Sequence, residues 1–212
     1  MSTTPCQICA TTQRQPFAQR EDPQFGTLLL WQCEACGFVY LDPMPKPQDL
    51  AVIYDSDTST GYFAKADLKL ARSKSRVRQM TRYVSGGRFL DVGCNGGFMV
   101  EAARQAGFQA QGLDPDPASI RWAQDRFPEN QFQIGTLEDV AAAGAEPFDA
   151  VYCSEVIEHS PDCNAFMEAL TGLMRPGAVL YLTTPDIGHW RRPRTLDNWD
   201  AFKPPEHCLY FN

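Results

Sequence analysis

From residue 88 onward, short apolar runs alternate with amphipathic stretches. Residues 88–92 (Arg-Phe-Leu-Asp-Val) predict a buried strand running into Gly93-Cys-Asn-Gly-Gly97, then an amphipathic helix over 98–106 that Gly107 stops. A second strand over 108–113 leads into Asp114, and Asp116 between Pro115 and Pro117 is placed to cap a helix through Phe127. Strands at 131–134, 148–153 and 178–184, with a helix near 164–174 and a turn at Arg175-Pro-Gly177, continue the series. Such alternation predicts an α/β fold with a Rossmann-like parallel sheet. Right-handed crossovers put its ligand at the carboxyl ends of the first and fourth strands, where the connections diverge.

Upstream, Ala66, Leu70, Val77, Met80 and Val84, with Ser73 in the one polar gap, recur at helical spacing across 64–84. Lys65, Lys69, Arg72 and Arg76 form one basic stripe and Lys74, Arg78 and Arg82 another. This face is either solvated or a docking surface for a phosphate-bearing substrate, nucleic acid or an acidic partner. Phe38 to Leu41 read as a strand, Pro43, Pro45 and Pro47 as a linker, and 48–62 as a loop or short helices.

The 212 residues, 43% hydrophobic, allow one domain of about 150 residues plus a small module. There are 19 Lys plus Arg against 26 Asp plus Glu, a net charge of −7. Residues 65–88 carry eight bases and one acid, leaving −14 elsewhere, so an anionic partner would have to meet a local patch. With no apolar run of membrane length and no signal-type start, the expected location is the cytoplasm, where thiols stay reduced and eight cysteines suggest metal ligands or buried apolar groups.

Cys6-Gln-Ile-Cys9 and Cys33-Glu-Ala-Cys36 are two Cys-x-x-Cys pairs separated by enough chain for an out-and-back hairpin. This is the pattern of a zinc ribbon: four thiolates close a tetrahedral shell around a structural Zn2+, which stands in for a core that about forty residues cannot build. Cys94, Cys153, Cys163 and Cys208 are scattered singly and read as ordinary buried or semi-buried positions.

Strand, glycine loop and helix form a nucleotide-binding arrangement, in which glycines allow close approach and the helix start offers unpaired N–H groups. A dinucleotide fingerprint would need glycine at 95 and 98, where Asn95 and Phe98 stand, so NAD is disfavoured. Asp114, at the end of the second strand, suits the two hydroxyls of a ribose.

Asp91-Val-Gly-Cys-Asn-Gly-Gly97, Gly-Leu-Asp114, Gly135-Thr-Leu-Glu138-Asp139, Phe148-Asp-Ala-Val-Tyr-Cys-Ser-Glu155 and Leu173-Met-Arg-Pro-Gly177, in this order, resemble class I S-adenosylmethionine-dependent methyltransferases over about residues 85 to 187. The resemblance implies that Asp91 and the Gly93, Asn95 and Gly97 backbone hold the methionine part of the cofactor. It further implies that Asp114 takes the ribose, Leu137 and Glu138 meet the adenine, and Ser154 faces the sulfonium. Asn95 departs from the usual second glycine, a substitution that Asn tolerates through its access to left-handed dihedrals. The expected organisation is a zinc ribbon over 1–42, a linker and basic amphipathic helix over 43–84, and a methyltransferase domain over 85–212. The family sheet has two further strands beyond the fifth, yet 28 residues follow Thr184. The hairpin is therefore expected to be missing, with the chain a fragment, the tail a substitute, or a partner chain covering the edge.

For the chemistry, Glu155, Glu158 and His159 follow the fourth strand, and a helix there would put all three on one face. They are candidates for general-base catalysis or for a divalent cation, as in the similar Glu-x-x-Glu-His run of O-methyltransferases of the ubiquinone pathway and of small-RNA 3′ ends; alternatively Glu158 and His159 only cap and orient the turn. In the tail, Trp190, Trp199, Phe202 and Tyr210 with Arg191, Arg192, Arg194 and His207 suit either a substrate-side lid or a loop packed on the sheet. The leading expectation is O- or C-methylation of a small molecule, a sugar or another hydroxylated metabolite. The alternatives are RNA methylation using the ribbon and basic helix, and a non-catalytic scaffold; no membrane partner is expected.

Overall fold

The computed structural model describes residues 4–46 and 65–212. The expectation for 48–62 therefore lies outside the described residues. The chain forms two compact units, Asp55–Glu155 with Ala165–Thr183, and Met1–Tyr54 with Val156–Asn164 and Thr184–Asn212. This division differs from the sequence-drawn boundaries at 42 and 84, because the tail and the segment after the fourth parallel strand group with the N-terminal residues.

In the N-terminal unit, β1 (Arg14–Asp22) and β2 (Gly26–Cys33) make the hairpin that the cysteine spacing anticipates. β3 (Val39–Leu41) pairs antiparallel with β2. Arg14 ion-pairs with Asp42 and lies over the Trp31 ring at 4.2 Å.

The other unit holds five parallel strands: β4 (Arg88–Val92), β5 (Gln109–Asp114), β6 (Gln131–Ile134), β7 (Phe148–Ser154) and β8 (Met174–Thr183). Their spatial order is β6-β5-β4-β7-β8, so the connections diverge between β4 and β7 as expected. Helix α1 (Ala66–Met80) buries Ser73, Val77 and Met80, the face that the periodicity marks. α2 (Phe98–Gln105), α3 (Pro117–Arg126), α4 (Leu137–Ala142) and α5 (Cys163–Gly172) supply the crossovers. Phe89, Val100, Ala103, Phe108, Ile120 and Ala150 meet Val77 and Met80 in one core. Each fully buried large side chain there contributes about 1.5–3 kcal/mol.

Among the described residues β8 pairs only with β7. The tail's own strand, β9 (Leu209–Tyr210), joins β3 instead, completing a sheet ordered β1-β2-β3-β9. All four singly placed cysteines are buried, as read.

Candidate functional site

The glycine loop follows β4 and is stitched to the end of β5. Gly93 and Cys94 N–H groups both donate to the Leu113 carbonyl at 2.8 and 2.9 Å, and Gly97 N–H donates to Cys94 O at 2.8 Å. Asn95 has φ +43°, the left-handed region, and its Oδ1 accepts from Gly96 N–H at 2.7 Å, which explains how asparagine replaces glycine there. Gly97, at φ +71°, starts α2, and a Cβ on it would lie 2.5 Å from the Phe132 ring. Residues 93–97 all spend their N–H groups inside the protein, because a tight bend between two strands must satisfy its own donors. Such a loop offers shape and carbonyl acceptors, which suit an ammonium group better than a phosphate.

Asp114 turns toward this bend. Its Oδ2 accepts from Asn95 N–H at 2.7 Å and its Oδ1 from Asp116 N–H at 2.9 Å, and each oxygen keeps a lone pair for a further donor. Burial raises its carboxyl above the ordinary value, opposed by those two N–H groups. Asp91, 2% exposed near the end of β4, is pushed well above the carboxylate range by burial and by the Asp114 charge. Arg76 opposes that shift. Its Nη1 donates to Tyr152 OH at 2.6 Å, and Tyr152 stacks on Tyr181 at 5.1 Å. Sequence reasoning had left Arg76 in the basic stripe of α1. Only its step of three and four residues from the buried Ser73 and Met80 hinted that it borders the core.

At the β6 end, Thr136 and Asp139 make a capping box at the start of α4, so Asp139 is engaged in structure. Glu138 next to it is exposed and Leu137 is buried. Ser154 Oγ lies 2.7 Å from Thr183 Oγ1, and Thr183 in turn donates to Glu155 Oε1 at 3.2 Å.

The helix that would put Glu155, Glu158 and His159 on one face does not form. Glu155 takes φ +59° and only Ile157–His159 make a single 3-10 turn, so the shared i, i+3, i+4 face is absent. A left-handed residue at the strand end turns the chain before a helix can propagate. What assembles within the N-terminal unit is Glu158, His159 and the distant His207, whose ligand atoms lie within 4.8 Å of one another. Thr184 Oγ1 donates to Glu158 at 2.9 Å. His159 Nδ1 sits 2.9 Å from Glu206 O and His207 Nδ1 2.8 Å from Ala201 O. A carbonyl only accepts, so both rings carry the proton on Nδ1 and present Nε2 lone pairs, as metal-binding histidines do when a backbone oxygen holds their other nitrogen. Burial, then the neighbouring His207, holds His159 down at about 4, so its imidazole is neutral.

The four ribbon cysteines also converge, with all Sγ atoms within 4.8 Å of one another, Cys6 to Cys36 at 3.6 Å and Cys9 to Cys33 at 3.5 Å. A tetrahedron with Zn–S arms of ~2.3 Å has edges of ~3.8 Å, so the set fits one zinc ion. In the tail, Phe202, His207 and Tyr210 are buried, while Trp190 is 79% exposed with Arg191 over its ring at 4.6 Å. The aromatic stretch thus divides into core and surface.

Known proteins extend this picture. Ubiquinone biosynthesis O-methyltransferase of Xanthomonas axonopodis pv. citri (strain 306) is 38% identical over 104 residues, 47% of this chain and 44% of the relative. The Xylella fastidiosa (strain 9a5c) protein of the same name is 37% identical over 105 residues, 48% and 43% of the two chains. The chain thus spans less than half the length of the curated relatives it matches. Among solved structures, Streptomyces venezuelae DesVI superposes with TM-score 0.51 at 19% identity over 69% of this chain and 60% of that one. The plantazolicin methyltransferase BpumL in complex with SAH gives 0.51 at 14% identity over 65% and 57%, so these two show the fold alone. Residues 62–212 match the family described as a methyltransferase domain. By that match, with the parallel sheet and the glycine loop behind it, the chain belongs to the class I S-adenosylmethionine-dependent methyltransferases.

Proposed function

We propose that the chain transfers a methyl group from S-adenosylmethionine to a hydroxyl of a small molecule. The supporting observation is the Asp91, glycine-loop and Asp114 arrangement at the point where the sheet connections diverge, with Asp114 facing the loop. In this reading Asp91 and loop carbonyls accept from the methionine ammonium, Arg76 meets its carboxylate, and Asp114 takes the ribose hydroxyls. Leu137 and Glu138 flank the adenine and Ser154 faces the sulfonium. S-adenosylmethionine supplies a methyl that is already activated, so the protein's task is alignment, worth up to about 7–11 kcal/mol, and disposal of the acceptor's proton.

The hydroxyl acceptor follows the names of the relatives, which are O-methyltransferases. Glu158, His159 and His207 would hold a divalent cation, whose chemistry when bound is to lower the pKa of a coordinated hydroxyl. Glu155, held by Thr183 at its own turn, stands outside that set. Cys6, Cys9, Cys33 and Cys36 would hold a structural zinc.

Calorimetry with S-adenosylmethionine and S-adenosylhomocysteine, followed by mass spectrometry of a panel of small hydroxylated acceptors incubated with S-adenosylmethionine, tests the reading. Binding of both nucleosides and a gain of one methyl on oxygen are expected. No measurable affinity for either nucleoside would overturn it.

A further inference from the structure

We infer that Gln7, inside the first cysteine pair, is a positioning residue that ties the zinc knuckle to the Glu158, His159 and His207 cluster; its metal readout rests on the metal-centre reading above. The knuckle turns on two backbone bonds, Ala10 N–H to Cys6 O and Cys6 N–H to Thr11 O, both 2.8 Å. Gln7, between two thiolates, then spends three polar groups on one distant segment of the same unit. Its Nε2 donates to Pro161 O at 2.8 Å, its Oε1 accepts from Cys163 N–H at 2.8 Å, and its main-chain oxygen accepts from Asn164 Nδ2 at 2.8 Å. The segment it grips begins two residues after His159.

The ribbon holds the cluster's other flank as well. β9 pairs with β3, Leu41 N–H donates to Cys208 O at 3.0 Å, and Cys208 N–H donates to Glu158 O at 2.9 Å. Cys208 therefore bridges the ribbon strand to Glu158 and fixes the backbone beside His207. A glutamine suits position 7 because the contact needs a donor and an acceptor together. Glutamate would lose the donor and methionine both. The side chain starts from a defined place only when Cys6 and Cys9 share an ion, so zinc loading becomes a condition for the cluster's geometry. A ribbon serving as a separate recognition module would not direct the interior of its knuckle at this segment.

The test compares wild type, Gln7→Met and Asn164→Ala in the full chain. Three quantities are read: zinc per chain, hydrogen exchange of peptides covering 156–164 and 204–209, and affinity for Mn2+, which thiolates hold poorly. Gln7→Met is expected to keep its zinc while exchange in 156–164 rises and Mn2+ affinity falls, each by about tenfold or more, the scale of two lost hydrogen bonds. Asn164→Ala should give a smaller change in the same direction. Unchanged exchange in zinc-loaded Gln7→Met overturns the inference. So does loss of zinc from that variant together with unchanged exchange in Asn164→Ala. If wild type binds no Mn2+ while exchange still rises in zinc-loaded Gln7→Met, the positioning role stands and the metal-centre reading fails.

Discussion

At the residue scale the two buried carboxyls are the most informative groups. Asp91 is raised by burial, then by Asp114, with Arg76 opposing; Asp114 is raised by burial against two N–H donors. For a carboxyl raised above its ordinary 3.8, the stability associated with the protonated form is complete below 3.8 and is lost as pH rises through the higher folded value. A cationic ligand reverses the preference, since it binds the ionised form. S-adenosylmethionine binding should therefore release protons, and affinity should grow as pH climbs above the ordinary carboxylate range. Calorimetry in two buffers of different ionisation enthalpy measures this release, and Asp91→Asn should remove most of it. Asp114→Asn should weaken S-adenosylhomocysteine by about 10- to 100-fold, the usual cost of a charged hydrogen-bond partner. Asp114 and Asn95 were legible in the sequence because a β-α-β register allots them their places. Arg76 was hidden in a run of like charges, and only packing set it apart.

At the element scale, α2 shows how one buried acid sets the pH response of a helix. Burial alone would raise Glu101, but Arg104, Asn130 and Gln105 hydrogen-bond to it and hold it at about 2. Its ordinary value is 4.5, so the stability it adds is present above 4.5 and is lost as pH falls toward 2. Urea midpoints should fall from pH 5 to pH 3, and Glu101→Gln should flatten that slope while lowering the midpoint at pH 6. An unchanged slope in the variant would place the acid sensitivity elsewhere. Periodicity marked α2, and glycine marked its two ends. The Glu155 to His159 segment would share one face only as a helix, and it is not one. The left-handed turn at Glu155 is set by its two hydrogen bonds with Thr183, its own N–H to Thr183 O and Thr183 Oγ1 to its carboxylate, at the neighbouring strand's end, which local pattern does not encode.

At the scale of the whole molecule, the proposed zinc would stand in for core in the N-terminal unit. The purified chain should carry one zinc. Chelation should expose the thiols of Cys6, Cys9, Cys33 and Cys36 to fast reaction, while Cys94 and Cys153, buried in the unit of the parallel sheet, stay slow. Thiol titration with and without chelator reads this directly, and four fast thiols before chelation would remove the zinc from the picture. No helix among the described residues is long and apolar enough to cross a membrane. The sequence by itself determined the parallel sheet, the glycine loop with its acid, and the cysteine set, because each is a local spacing that backbone geometry converts directly into position. Only the tertiary structure brought His207 to Glu158 and His159, or Gln7 to Pro161 and Cys163. Those meetings depend on chain segments far apart in sequence folding into one unit, and no periodicity records which distant residues will share a buried site.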